Sequence, residues 1–192
     1  MLSRYREFLN SKFEKIATAL TFLSPNTITV LTMLFSFVPA YFYYLARFQV
    51  AAVLLLVSGA LDVTDGAVAR VTGRVSSFGG FLDSTFDRIS DLAILGGIAL
   101  SVVVDWRLVL FTAFGSFMVP YCRARAEAAG AEKMAVGVAE RAERQILLVV
   151  ASLIHPLVSE LNLLELAVIL LGILAWVTVV QRILAARRQL QD

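Results

Sequence analysis

The sequence predicts an all-α membrane protein, with six transmembrane helices preceded by an amphipathic helix at the membrane surface. Three observations predict it. Of the 192 residues, 59% are hydrophobic and 17% charged, whereas a soluble domain is nearer half apolar and a quarter charged. The apolar residues fall in long uncharged runs. Of the 17 Lys and Arg residues, 15 fall at the two termini or in alternate gaps between those runs.

The runs locate the helices. Between Lys15 and Arg47 lie 31 residues without a formal charge, more than the ~20 that a bilayer requires. Shorter uncharged runs occupy 48–61, 92–104, 108–122, 145–159 and 166–181. Each is long enough to span once the charged residues at its ends are taken as helix. The helices are predicted over about 26–46, 50–71, 79–104, 108–128, 139–157 and 161–186, forming one membrane domain over 21–192. The connection 73–80 is short and glycine-rich, which predicts a tight hairpin of helices two and three.

Residues 1–20 have a different pattern. Leu2, Tyr5, Phe8 or Leu9, Phe13, Ile16 and Leu20 recur every three or four positions, with Arg4, Arg6, Glu7, Lys12 and Lys15 between them. This is the stripe of a helix lying in the membrane interface. A cleaved signal peptide fits poorly, because the start mixes acidic with basic residues and the apolar run after it is too long. Cys122 is the only cysteine, so no intramolecular disulfide forms.

The distribution of basic residues sets the orientation. The N-terminal segment, the region 70–88, the stretch 123–144 and the C-terminal end hold all Lys and Arg but Arg47 and Arg107. The positive-inside rule therefore places both termini, and the connections after helices two and four, in the cytoplasm of a multi-pass plasma-membrane protein. Membrane lipids are the expected surroundings, and no nucleic-acid partner is expected.

Five carboxylates stand out: Asp62, Asp65, Asp83, Asp87 and Asp91, at the cytoplasmic ends of helices two and three. An acidic residue at the centre of a membrane helix costs ~2.5–3.5 kcal/mol even on mild scales. Five together repel one another unless something positive sits between them. At about 100° per residue, Asp62, Asp65, Gly66, Ala69 and Arg70 share one face of helix two, as Gly79, Asp83 and Asp87 share one face of helix three. Small residues between the acids let a ligand approach closely. An oxygen-only donor set favours a hard divalent cation, Mg2+ or Mn2+. The alternative is structural pairing with Arg70, Arg74 and Arg88, and a pair between Asp91 and Arg88 is the expected instance.

Written out, the stretch is Asp62-x2-Asp65-Gly66-x2-Ala69-Arg70-x8-Gly79-x3-Asp83-x3-Asp87. It resembles the complete signature of the CDP-alcohol phosphotransferases at all eight positions. The resemblance implies a site for two metal ions on Asp62, Asp65 and Asp83. Asp87 is implied both to touch a metal and to take the proton from the acceptor hydroxyl. It implies a CDP-lipid donor, with Gly66, Ala69, Arg70 and Gly79 around its CDP portion, Arg70 on its phosphates and Ser76 adding a hydroxyl. The segment Pro25-Asn26-Thr27-Ile28-Thr29 resembles the family's nucleotide-side segment, although a Pro-Asn turn opening a helix explains it as well.

The acceptor is read from the other basic segments. Tyr121-Cys122-Arg123, Glu140-Arg141-x2-Arg144 and Gln181-Arg182 lie at helix ends on the same side. They resemble the prokaryotic branch that makes phosphatidylinositol phosphate, or its archaeal ether-lipid counterpart, from inositol 1-phosphate. That implies an inositol phosphate acceptor whose phosphate is bound by Arg123, by Arg141 or Arg144, and by Arg182. Basic residues at helix ends also satisfy the positive-inside rule with no ligand. Glycerol 3-phosphate or soluble inositol is the alternative acceptor, and a cation-binding transporter is the alternative class. Family members are often homodimers, and helices three and four are the expected interface.

Overall fold

The computed structural model describes residues 18–132, 136–138, 141–158 and 160–191. Within them the chain is helical, and no strand occurs. Six α-helices follow one another: α1 (Pro25–Tyr44), α2 (Phe48–Val71), α3 (Ser77–Leu100), α4 (Trp106–Ala128), α5 (Arg141–Ile154) and α6 (Leu163–Leu190). The interfacial helix expected over 1–20 lies outside the described residues except for its last turn. By length and composition, α1, α2 and α6 are apolar enough to cross a membrane. Helix α3 has four charged residues in its first fifteen positions, α4 has charges near both ends, and α5 ends sooner than expected. It gives way at Ile154 to a 3-10 turn over His155–Leu157 that contains Pro156, a residue that cannot continue a helix interior.

Local signals set the ends. Ser24 caps α1 by accepting a hydrogen bond from the Thr27 amide, with Pro25 in the first turn. Helix α2 closes with the Arg74 amide donating to the Ala69 carbonyl and with Gly73 at φ 66°, the left-handed position that favours glycine. Ser76 then opens α3, its hydroxyl accepting from the Gly79 amide at 3.0 Å.

Packing departs from expectation at the α2–α3 connection. The loop is short, but the two helices make their main contacts elsewhere. Each of the six helices packs on two others, and the pairings close a ring in the order α1, α2, α5, α6, α4, α3. Both α2 and α3 lean on α1, and they meet through the acidic side chains at their ends. Close approach of α3 to α1 depends on Gly97, where a methyl group would overlap the Ala40 backbone. Gly172 of α6 plays the same part against Thr112 and Phe111 of α4, as small residues do wherever membrane helices meet closely.

The apolar core fills the end of the ring away from the acids, built from Tyr43, Phe48, Leu55, Ile94, Ile98, Leu148 and Leu164 among others. Two hydrogen bonds join helices inside it. The Tyr43 and Ser152 hydroxyls pair at 2.9 Å, and Thr112 donates to the Val168 carbonyl at 2.8 Å. The outer surface is apolar: Leu34, Phe114 and Ile173 are each about half exposed or more. In water such a surface associates or aggregates; against lipid it is at home. The chain is a membrane protein.

Candidate active site

Two cavities open at the acid-bearing end, and α3 divides them. The first, of about 320 Å³, is lined by Pro25, Asn26 and Thr29 of α1, by Asp65, Gly66, Ala69 and Arg70 of α2, and by Ser76, Gly79 and Asp83. The second, of about 820 Å³, is lined on α3 by Ser84, Thr85, Asp87 and Arg88, and across from it by Tyr121, Arg123, Arg141, Arg144 and Arg182. Helical spacing explains the division. Residues 81, 84, 85, 88 and 92 share one stripe of α3, whereas 76, 79, 80 and 83 face the other side.

Between the cavities the carboxylates of Asp62, Asp83 and Asp87 converge. Each offers an oxygen, and these oxygens lie within 4.8 Å of one another. Two unit charges at that separation repel by about 3 kcal/mol at an effective dielectric constant near 20, so the cluster attracts cations. Asp65 belongs to the same acidic wall but lies deeper, 6% exposed. One of its oxygens accepts from the Gly66 amide, and Oδ2 is buried without a hydrogen-bond partner. An orphaned carboxylate oxygen beside three converging ones is a donor set that fits hard divalent cations.

One guanidinium already reaches this cluster. Arg141 Nη1 stands 2.7 Å from Asp62 Oδ2 and 2.7 Å from Asp87 Oδ1, while its Nε donates to Asp91 Oδ1 at 3.2 Å. Arg144 follows one turn later, with Nη2 at 3.7 Å from Asp91 Oδ2. The pair expected between Asp91 and Arg88 is not formed. Arg88 turns to Asp87 Oδ2 at 3.4 Å, and Asp91 faces α5, because a helix residue one turn beyond Asp87 points to the helix its neighbour faces.

Most residues expected around the CDP portion line the first cavity: Pro25, Asn26, Gly66, Ala69, Arg70, Ser76 and Gly79. Thr27 and Ile28 do not. The Thr27 hydroxyl pairs with Ser24 at 2.7 Å in the helix cap, and Ile28 packs with Ala67 and Val68. On that helix end Thr29 presents its side to the cavity instead. Ser76 is engaged as the α3 cap as well as lining the cavity.

All four arginines expected at the acceptor phosphate line the second cavity, but in different states. The Arg123 side chain is 37% exposed and pairs with Glu127 at 3.0 Å. Arg182 is buried and donates to the Val119 carbonyl at 2.6 Å and the Val136 carbonyl at 2.9 Å, so it holds backbone together as well as facing the cavity. Arg74 and Arg88, read from sequence as counter-charges, line the two cavities. The polar stripe of Ser84, Thr85 and Arg88 at helical spacing was the available signal for the second.

Comparison with known proteins agrees with this geometry. Residues 22–185 match the CDP-alcohol phosphatidyltransferase family. The chain is 43% identical to the archaetidylinositol phosphate synthase of Pyrococcus horikoshii, over 100% of this chain and 99% of that one. It is 37% identical to the synthase of the same name from Methanothermobacter thermautotrophicus, over 100% and 96%. Its fold matches the crystal structure of Mycobacterium tuberculosis phosphatidylinositol phosphate synthase PgsA1 with CDP-DAG bound. The TM-score is 0.82 at 28% identity, covering 91% of this chain and 93% of that one, and PgsA1 is also known in complex with manganese and citrate. With the eight-residue signature gathered around one acidic cluster and a family match over nearly its whole length, this chain belongs to the CDP-alcohol phosphatidyltransferases and is a CDP-alcohol phosphotransferase of phospholipid biosynthesis.

Proposed function

We propose that this enzyme transfers a lipid-phosphate group from CDP-diacylglycerol or CDP-archaeol to inositol 1-phosphate, releasing CMP. The observation that carries the reading is the division of the aspartates between the two cavities. Asp65 and Asp83 line the one with Pro25, Asn26 and Arg70, and Asp87 lines the one with the arginines. A transfer between two substrates needs the donor on one side of the reacting phosphorus and the attacking hydroxyl on the other.

Asp62, Asp65, Asp83 and Asp87 are the residues that would hold two Mg2+ or Mn2+ ions. Bound there, such ions offset the charge of a diphosphate and stabilise the departing CMP. The chain's own groups do the rest. Arg70 binds the donor's phosphates, with Gly66, Ala69 and Gly79 leaving room for the CDP portion. Asp87 takes the proton of the acceptor hydroxyl. That oxygen forms its bond to the phosphorus carrying the lipid as the bond from this phosphorus to the CMP oxygen breaks. On the acceptor side Arg123, Arg141, Arg144 and Arg182 suit a phosphorylated alcohol, because a guanidinium grips phosphate oxygens in pairs. The relatives named for inositol phosphate lipids support that choice over glycerol 3-phosphate or free inositol.

Six helices cross the membrane in this reading, with both cavities at the cytoplasmic face, where the basic residues gather. A second copy packs against α3 and α4. The deciding experiment offers the purified protein CDP-diacylglycerol and CDP-archaeol, each with inositol 1-phosphate, glycerol 3-phosphate or inositol, and measures freed CMP. Inositol 1-phosphate is expected to give the highest kcat/KM, with activity lost on chelation and restored by Mg2+ or Mn2+. Preference for glycerol 3-phosphate would reject the acceptor, and full activity after exhaustive chelation would reject the metal site.

A further inference from the structure

Asp91 lies outside the eight-residue signature, one turn beyond Asp87 on α3. Its carboxylate bridges two arginines of α5, accepting from Arg141 Nε at 3.2 Å and standing 3.7 Å from Arg144 Nη2. Arg141 also reaches the other way, with Nη1 at 2.7 Å from both Asp62 and Asp87. One guanidinium thus spans two sets of acids. The carboxylates it touches, Asp62 and Asp87, are two of the three grouped so that they could hold a divalent cation. A cation and Nη1 compete for these carboxylates, since both are positive and both take carboxylate lone pairs. Arg144, beside it, is 9% exposed and has Nη1 buried without a hydrogen-bond partner. It lines the arginine cavity.

We infer that Asp91 is a positioning residue: it draws Arg141 away from Asp62 and Asp87 when cations load, and keeps Arg141 and Arg144 at the acceptor cavity. The inference rests on the metal and acceptor reading proposed above. It makes metal binding and acceptor binding help each other, because the shift of one guanidinium serves both. Each ligand then tightens the other by the same factor. With Asp91 neutral, Arg141 keeps its ion pairs to Asp62 and Asp87 and settles on them. Cation binding then weakens even though no cation ligand has changed.

The test is a double-mutant cycle on the purified full chain, with Mn2+ as the probe and the resonance signal of free aqueous Mn2+ as the readout. D91N is expected to weaken Mn2+ binding about tenfold, within the usual range of such couplings. In an R141Q background the same substitution is expected to change Mn2+ affinity by less than about twofold. D91E, which keeps the charge one methylene further out, recovers part of the loss and replaces D91N if that variant does not fold. At saturating Mn2+, D91N raises the KM for inositol 1-phosphate more than the KM for the CDP-lipid. Unchanged Mn2+ affinity in D91N overturns the inference. So does an equal loss with and without Arg141, which would mark a plain through-space charge effect. A wild-type chain that binds no Mn2+ rejects the metal reading itself, an outcome distinct from either.

Discussion

Replacing Asp87 with Asn tests the division of labour between the two cavities. Asn keeps the shape and one oxygen acceptor, so the contact that Arg141 makes with Oδ1 at 2.7 Å has a neutral substitute. What it lacks is the charge and the ability to take a proton. A positioned general base contributes typically 10²–10⁴-fold, so kcat for CMP release is expected to fall by about that factor, or roughly 2.7–5.5 kcal/mol of transition-state stabilisation. In the proposed function the CDP-lipid binds in the cavity that Asp87 does not line. Its affinity at saturating Mn2+, measured by calorimetry with CMP or the CDP-lipid, is expected to stay within about threefold, because Asp62, Asp65 and Asp83 keep their carboxylates. Stopped assays of CMP release at saturating Mn2+, with Mn2+ occupancy checked separately, keep the loss of a base apart from the loss of a cation. Turnover of D87N within a few-fold of wild type would remove Asp87 from the proton transfer.

Three further predictions follow from the geometry. R70Q is expected to raise the KM for the CDP-lipid roughly tenfold to a hundredfold, the worth of one charged hydrogen bond, and to leave the KM for the acceptor alone; steady-state kinetics with each substrate varied decides it. R123Q and R182Q both raise the KM for inositol 1-phosphate, but thermal unfolding in detergent should separate them. R182Q leaves the Val119 and Val136 carbonyls without their donor and is expected to cost roughly 2–4 kcal/mol. R123Q removes a surface pair worth about 0–1 kcal/mol. G97A pushes a methyl group into the Ala40 backbone and is expected to destabilise by about 1–3 kcal/mol; an unchanged melting temperature would contradict the close approach of α1 and α3.

The acid site was legible because its constraints are local. Asp62 and Asp65, or Asp83 and Asp87, are one turn apart on a helix, and the geometry of a single helix fixes which of them face together. That Gly66, Ala69, Arg70 and Gly79 line one cavity was readable for the same reason. Residues whose role depends on a partner distant in sequence were harder. Thr27 and Ile28 belong to a cap and a small core patch, and Thr29 lines the cavity with Pro25 and Asn26. Arg88 was paired with the wrong aspartate, since the choice between Asp87 and Asp91 is settled by where α5 lies.

By itself the sequence determined that this is a helical membrane protein whose carboxylates gather at one end of two consecutive helices. Those facts follow from residue type and from a period of 3.6 residues. Only the tertiary structure decided that α2 and α3 lean on α1 instead of on each other, that α3 separates two cavities, and that Arg141 spans the acids. These depend on which helices are neighbours, and that is set by packing across the ring, where Gly97 and Gly172 permit contacts that no local pattern encodes.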